Sequence, residues 1–556
     1  MLFVIFHQLT QAISTVDGRP VIKMKCLCTV IVIISCKAQI IRADPLFTFF
    51  VNDRFIQKKE VCLVFVSLFF VAFLILLWMV YLLEPAKYRK STLWLFSYVF
   101  CGYISLQALV ALILSTVLVF LGAKAIEDCR NRDSAGNLKA KLIAIAVGFG
   151  FAFVLIGVKN IPYLIKMLGI KWVPQDSPFR SLVLPVGFSF YAFGAIGYIY
   201  DVYQGKEQAE RDFLSFALYM GFFAKLVSGP IERKGTFAKQ IHAMEHVKVW
   251  DTKRLALAAN DLLWGYFLKL VVADRLALIV NEIYRTPMYY DTVWLVGGAI
   301  FYSFQVYADF AGYTCIALGC AKLFGIQLSQ NFASPYKAVN ITDFWRRWHI
   351  SLSSWLRDYV YIPLGGNRRG TLRKYGNTMI VFILCGIWHG NGLSFLVWGI
   401  LHGMYSILYH LWAGRRKNAG TAASGNRTKT GTFFARLLTF LAVTFAWIFF
   451  RAESLTLALD YIRKMVTNGI HPINSIPGFE SSGVLMIQVY ISMALILLVQ
   501  FMDGICDRKQ MVFSELMQKQ KRVVRYLFYY VTIILIFVIG IYGGTFPAET
   551  FIYMQF

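Results

Sequence analysis

Apolar residues in this chain come in long blocks separated by short polar stretches. Val61 to Leu83, Leu93 to Leu121, Leu142 to Val158, Trp294 to Phe310, Leu393 to Trp412, Val484 to Phe501 and Tyr526 to Ile541 are each almost free of charge. A helix needs roughly 20 apolar residues to cross a bilayer, so several of these blocks are long enough to span. Counting shorter candidates, the pattern predicts an all-α, polytopic membrane protein of about ten to thirteen helical segments, some entering the bilayer without crossing it.

Composition agrees with the pattern. Hydrophobic residues make up 58% of the 556 and charged residues 15%, against about 25% charged in an ordinary soluble domain. The net charge of +26 raises the question of nucleic acid. Its Lys and Arg lie in short loops between apolar blocks, which is how membrane proteins retain their cytoplasmic loops, so the bilayer is the partner and nucleic acid is not. The ten cysteines show no CxxC pairing and read as small core residues, with no disulfide framework or metal site.

Residues 1–60 differ from the rest of the chain. Cys26 to Ile41 is a short apolar run behind Lys23 and Lys25, without a clear small-residue cleavage site. A signal-like segment, an extra helix and an upstream mis-start of the reading frame all fit. Residues 61–556 are expected to form one membrane domain. Near the other end, residues 414–432 carry five basic residues and no acid, and Asp503 to Arg525 holds six basic against three acidic. Both belong on the cytoplasmic side. The balanced loop from Arg451 to Gly483 and the tail Phe551 to Phe556 then lie outside.

The segment DFWRRWHISLSSWLRDY, Asp343 to Tyr359, breaks the apolar pattern. Phe344, Trp348, Leu352, Trp355 and Tyr359 recur at helical spacing, which predicts one helix with an aromatic face among Arg346, Arg347, Arg357 and two aspartates. Such a helix lies at the interface or packs beneath a bundle, and its Trp and Arg residues serve equally well as interfacial anchors. Pro363, Gly365 and Gly366 then predict a turn. Beyond it, an apolar run ends in Trp388-His389-Gly390-Asn391-Gly392, and a second run begins at once. Basic residues flank the pair on both sides, so a hairpin with both ends cytoplasmic is expected. Its first leg, 377–388, would be about 18 Å long, too short to cross, which places His389 within the membrane near a re-entrant tip. Polar groups at that depth usually mark a functional path, and imidazole takes and returns protons near neutral pH. A proton-coupled transporter, an acid–base enzyme and a hydrogen-bonded structural histidine all remain open on these residues alone.

The run FWRRWHISLSSWLRDYVYIPLGGNRRG followed by GIWHG closely resembles the membrane-bound O-acyltransferase family. More narrowly it is similar to the bacterial branch that O-acetylates alginate and peptidoglycan. LPVGFSFYAFGAIGYIYDVYQGK, VSGPIER, YADFAGYTCIALGCAKLFGI and WIFFRAESL extend the likeness from about Val61 to the end. The resemblance implies a ring of helices around a central tunnel in a multi-pass protein of the bacterial inner membrane. It implies catalytic roles for His389 and His349, with His389 as general base. Trp388, Asn391, Arg346 and Arg347 become candidates for positioning substrate and donor, although positive-inside anchoring explains the arginines as well. His402 and His410 match no catalytic motif and read as structural. No permanently bound cofactor is implied. The acyl donor would be a cytoplasmic thioester, acetyl-CoA or an acyl carrier, and the acceptor an exported polysaccharide reached through a periplasmic or surface esterase-like partner. Tyr553, in the Phe-rich tail, is a candidate acyl carrier, or else an aromatic belt residue. A non-catalytic scaffold for the partner enzyme is the remaining alternative.

Overall fold

The computed structural model describes residues 13–16, 19–22, 65–132, 134–170, 184–418, 428–470 and 486–541. Most of the atypical segment 1–60, and the tail with Tyr553, lie outside the described residues. Apart from a small antiparallel hairpin, Ile13–Val16 paired with Arg19–Ile22, the described chain is helical.

Among the described residues, five helices are long and apolar enough to cross a membrane: Leu106–Arg130, Gly136–Val158, Lys429–Arg451, Met486–Lys509 and Arg522–Ile539. Leu68–Leu83 is a shorter apolar helix. Much of their surface is exposed apolar side chain, such as Leu114, Phe149, Leu497 and Phe537, which in this setting is the lipid-facing side. The chain is therefore a polytopic membrane protein.

One apolar block divides where the pattern predicts continuity. The Leu93 to Leu121 run forms two helices, Arg89–Ile104 and Leu106–Arg130, separated at Ser105. Ser105 is extended, and its Oγ accepts from Ala108 N at 3.3 Å. A hydroxyl able to cap a new helix N-terminus supplies the stop and restart that periodicity does not register.

The 32-residue helix Thr292–Leu323 is the axis of the fold, about 48 Å long at the helical rise. Nearly every residue from Gly298 to Ala321 is buried, on all faces. Helix Thr252–Tyr266 lies so close to it that a Cβ on Gly265 would stand 2.8 Å from Gly312 O. Small residues permit this approach, and apolar packing of backbones is what holds helices together in lipid. Just beyond, Lys269 Nζ meets Asp274 Oδ1 at 2.6 Å and Asp309 Oδ1 at 2.8 Å, all three buried. Buried charges persist when paired, so this cluster fastens the 252–285 region to the axis.

The helix termini sort into two faces. On one, Arg347 Nη1 reaches Asp507 Oδ1 at 2.5 Å, and Arg436 Nη2 reaches Asp507 Oδ2 at 3.3 Å. On the other, Arg451 Nη2 donates to Asn281 Oδ1 at 2.7 Å, and Arg275 bonds Gln488 and the Ile539 carbonyl. The arginine-rich ends that the charge pattern assigns to the cytoplasm thus meet on one face. The stretch from Arg451 to Gly483, expected as a loop, contains an additional helix, Leu455–Thr467. Ser454 caps it, and Tyr461 Oη ties it to Leu295 O at 2.7 Å.

Candidate functional site

Two structural units, an elbow and a hairpin, bring the WHIS and WHG motifs together. The elbow begins with helix Ile341–Arg347, capped by Asn340, whose side chain accepts from Asp343 N at 2.8 Å. The spacing of aromatic residues predicts that this helix runs on to Tyr359. It does not. Trp348 is extended, His349 is left-handed at φ 44° and ψ 54°, and a second helix, Ile350–Leu356, starts in a new direction.

Asn331 explains the break. Its carbonyl accepts Ile350 N at 3.0 Å, and its Oδ1 accepts Ser351 Oγ at 2.6 Å. Ala333 N also donates to Arg347 O at 3.0 Å. A preceding segment thereby takes the hydrogen bonds that an unbroken helix would make internally. Phe344, Trp348, Leu352 and Trp355 are all buried, so the periodic pattern correctly marks the inward side chains while misreporting the backbone. The predicted turn is present, with Gly365 and Gly366 at positive φ.

A left-handed non-glycine residue carries strain of roughly 1–3 kcal/mol, which the clamp must offset. His349→Gly should therefore melt higher than His349→Ala, by an amount equivalent to about 1 kcal/mol. If the imidazole also acts chemically, both variants lose activity alike. Recovery of turnover in the glycine variant would reduce His349 to a backbone role.

The hairpin consists of helices Thr371–His389 and Leu393–Asn418. Its legs touch backbone to backbone: a Cβ on Gly386 would lie 2.4 Å from Phe395 O, and one on Gly399 2.4 Å from Phe382 O. The first leg is 19 residues long, about 28 Å, and so exceeds the predicted twelve. Its additional turns carry Arg373 and Lys374, and Asn377 Nδ2 anchors them to Gly366 O at 3.0 Å. A short first leg therefore does not set the depth of His389. Its ring lies 5.2 Å from that of Phe450, next to Arg451 at the face opposite Asp507.

His389 is 3% exposed and His349 fully buried. The His389 ring stands 4.5 Å from Trp388 and 5.1 Å, edge-on, from Trp398. The His349 ring stands 4.7 Å from Phe310 and 6.2 Å from Trp388. Both imidazoles thus border the Trp388 indole, although they come from separate units. Phe193 covers that indole at 5.2 Å, drawing the LPVGFSFYAFG segment into the site.

His402 matches no catalytic motif, yet the fold places it beside these rings. It is fully buried, accepts from Trp345 Nε1 at 3.2 Å through Nδ1, and lies 4.9 Å from Trp398. Trp398 accordingly stands between His389 and His402. The signal in the sequence is a Trp and a His four residues apart on one helical face.

The other candidates separate. Trp388 is central, whereas Asn391 is exposed at the hairpin turn. Arg347 is engaged as a strut by Asp343 at 2.9 Å and Asp507 at 2.5 Å, which leaves its neighbour Arg346 facing a separate cleft. Below the elbow, an acidic cavity of about 430 Å³ is lined by Asp261, Asp503, Asp507 and Glu515 and reaches Tyr307 and Phe332. Among the described residues, no group of three or more His, Cys, Asp or Glu is placed to hold a metal ion. A buried imidazole among indoles, one of which also borders a second imidazole, suits proton transfer to and from a reacting hydroxyl.

Residues 207–450, which include both motifs, match the model of the membrane-bound O-acyltransferase family. A probable alginate O-acetylase of Pseudomonas fluorescens is 35% identical over 71% of this chain and 73% of its own. A peptidoglycan O-acetyltransferase of Helicobacter pylori is 35% identical over 52% and 58%, respectively. A teichoic acid D-alanyltransferase of Bacillus subtilis is 27% identical over 50% and 71%. The chain belongs to the membrane-bound O-acyltransferase family. It is an acyltransferase and a multi-pass protein of the bacterial inner membrane.

Proposed function

We propose that this protein passes an acetyl group from a cytoplasmic thioester across the membrane for O-acetylation of an exported polysaccharide, alginate-type or peptidoglycan. The observation that carries the reading is His389, buried at the hairpin tip against the same indole that His349 borders. In the proposed step, His389 takes the proton of an acceptor hydroxyl as its oxygen attacks the thioester carbonyl. The new C–O bond forms, the C–S bond breaks, and the proton passes from the imidazolium to the departing thiolate. Indole N–H groups and backbone amides near Trp388 steady the intermediate oxyanion.

The reading requires a tunnel through a ring of helices, with residues 61–556 as one membrane domain. Donor and acceptor are transient substrates, acetyl-CoA or an acyl carrier on one side and an esterase-like transferase partner on the other. The 35% identity to a probable alginate O-acetylase over 71% of this chain supports the acetyl group and the polymer class.

Deleting the gene should remove acetyl esters from the polymer without stopping its export, as read by ester content of the purified polysaccharide. Tyr553 is proposed as the exterior carrier. Tyr553→Phe keeps the ring and removes the hydroxyl, and should lower ester content to near the deletion level. Wild-type acetylation in that variant would end the carrier role while leaving the His389 reading intact.

A further inference from the structure

Acyl transfer between the two faces of a membrane also moves a proton. The acceptor O–H bond breaks on the exterior side, and an S–H bond forms on the cytoplasmic thiol. Two routes balance these bonds. In one, the hydroxyl proton escapes to exterior water while the thiolate draws another from the cytoplasm, so one positive charge crosses outward per ester. In the other, a single group takes the proton and holds it until the thiolate leaves, so no net charge crosses. Which route operates depends on whether the protonated base is open to water.

His389 is closed to it. Its ring is 3% exposed and stands 4.5 Å from Trp388, 5.1 Å from Trp398 and 5.2 Å from Phe450. Trp398 and Phe450 are themselves fully buried. At the tip of the hairpin, Phe395 adds a cover. A Cβ on Gly390 would lie 2.2 Å from Phe395 Cε2, so the Phe395 ring fills the space that this glycine leaves beside His389. That ring is buried as well and packs on Phe450 at 5.1 Å.

These covers do not pass a proton on. An indole N–H only donates, and a phenyl ring offers no acceptor. Behind the rings stand His349 across Trp388, His402 across Trp398, and Arg451 next after Phe450. Both histidines are fully buried, so neither opens a way to water. Arg451 is engaged by Asn281 Oδ1 at 2.7 Å, and a guanidinium accepts no proton. A proton taken by His389 is thereby kept from exterior water until the thiolate forms.

We infer that this protein exchanges one acyl group outward for one proton inward, carried by His389, with Phe395 as the seal between that imidazole and the exterior. The inference rests on the base role of His389 given above. It adds the charge balance of the transfer and a residue that enforces it. The O–H and C–S bonds break, the C–O and S–H bonds form, and neither compartment gains or loses a free proton.

The test uses sealed vesicles of the full-length protein with acetyl-CoA on the cytoplasmic face. The transferase partner, its polysaccharide and an impermeant pH indicator occupy the other compartment. Valinomycin and potassium set the potential, and a pH of about 6.5 keeps released thiol protonated, a thiol pKa being about 8.5. Wild type should release no proton into the polysaccharide compartment for each ester formed; one proton per ester overturns the exchange. A potential of about 100 mV of either sign should leave the final ratio of ester to thioester unchanged. Outward movement of one charge would shift that ratio about 50-fold and overturn the inference equally. Phe395→Ala should release protons with a measurable fraction of its esters, and a count still at zero takes the seal away from that ring. His389→Gln should form neither ester nor free protons. Ester at the wild-type rate in that variant would reject the base assignment, an outcome separate from the proton count of wild type.

Discussion

His389→Gln should abolish polymer acetylation while the protein inserts, accumulates and melts like wild type. Glutamine is close to imidazole in volume and keeps hydrogen-bonding capacity, but it cannot take up a proton near neutral pH. General acid–base catalysis contributes typically about 10²- to 10⁴-fold, and a loss of that size in initial rate is expected. Rings bordering His389 include Trp388, Trp398 and Phe450, and neither indole nor phenyl is a base. His349 lies on the far side of a shared indole contact and is held by a different unit. Normal acetyl ester content in a strain carrying only His389→Gln would remove the histidine from the chemistry.

A comparably large effect is expected from a side chain that takes no part in proton transfer, one turn before His389. Gly386→Val should prevent the protein from accumulating in folded form. A Cβ there meets Phe395 O at 2.4 Å, and Phe395 O belongs to the backbone of the opposing leg, which cannot yield as a side chain would. The reciprocal contact at Gly399 means the legs cannot slide to relieve it. Overpacking in a tight core costs typically about 1–3 kcal/mol, and more where backbone must move. Gly376 is the control on the same helix: a Cβ there meets nothing within 4 Å, so Gly376→Ala should be neutral or stabilising. Size-exclusion profiles of fluorescent fusions separate the two outcomes. A monodisperse Gly386→Val protein would contradict the close-packed hairpin.

Much of this site can be read from residue order, because lipid imposes simple rules. Apolar length gives several of the spans, and glycines beside His389 mark the hairpin. The inward residues of the elbow follow their helical spacing even across a broken backbone. What the pattern misses depends on distant partners. The kink at His349 is imposed by Asn331, which lies far enough back along the chain that no local period encodes it. Arg347 looks like its neighbour Arg346 until Asp507 arrives from another helix to engage it. Ser105 interrupts an apolar block through a cap that mean hydropathy cannot register. His402 belongs to no motif, although its partner Trp398 stands one turn away on the same face.

The central claim is that His389 moves an acyl group from one side of the membrane to the other. The most direct measurement uses sealed vesicles containing the purified protein, with radiolabelled acetyl thioester on the cytoplasmic face and the transferase partner with its polysaccharide on the opposite face. Wild-type vesicles should place label on the polysaccharide as alkali-labile ester, and His389→Gln vesicles should not. Label arriving at the wild-type rate through His389→Gln vesicles would contradict the account.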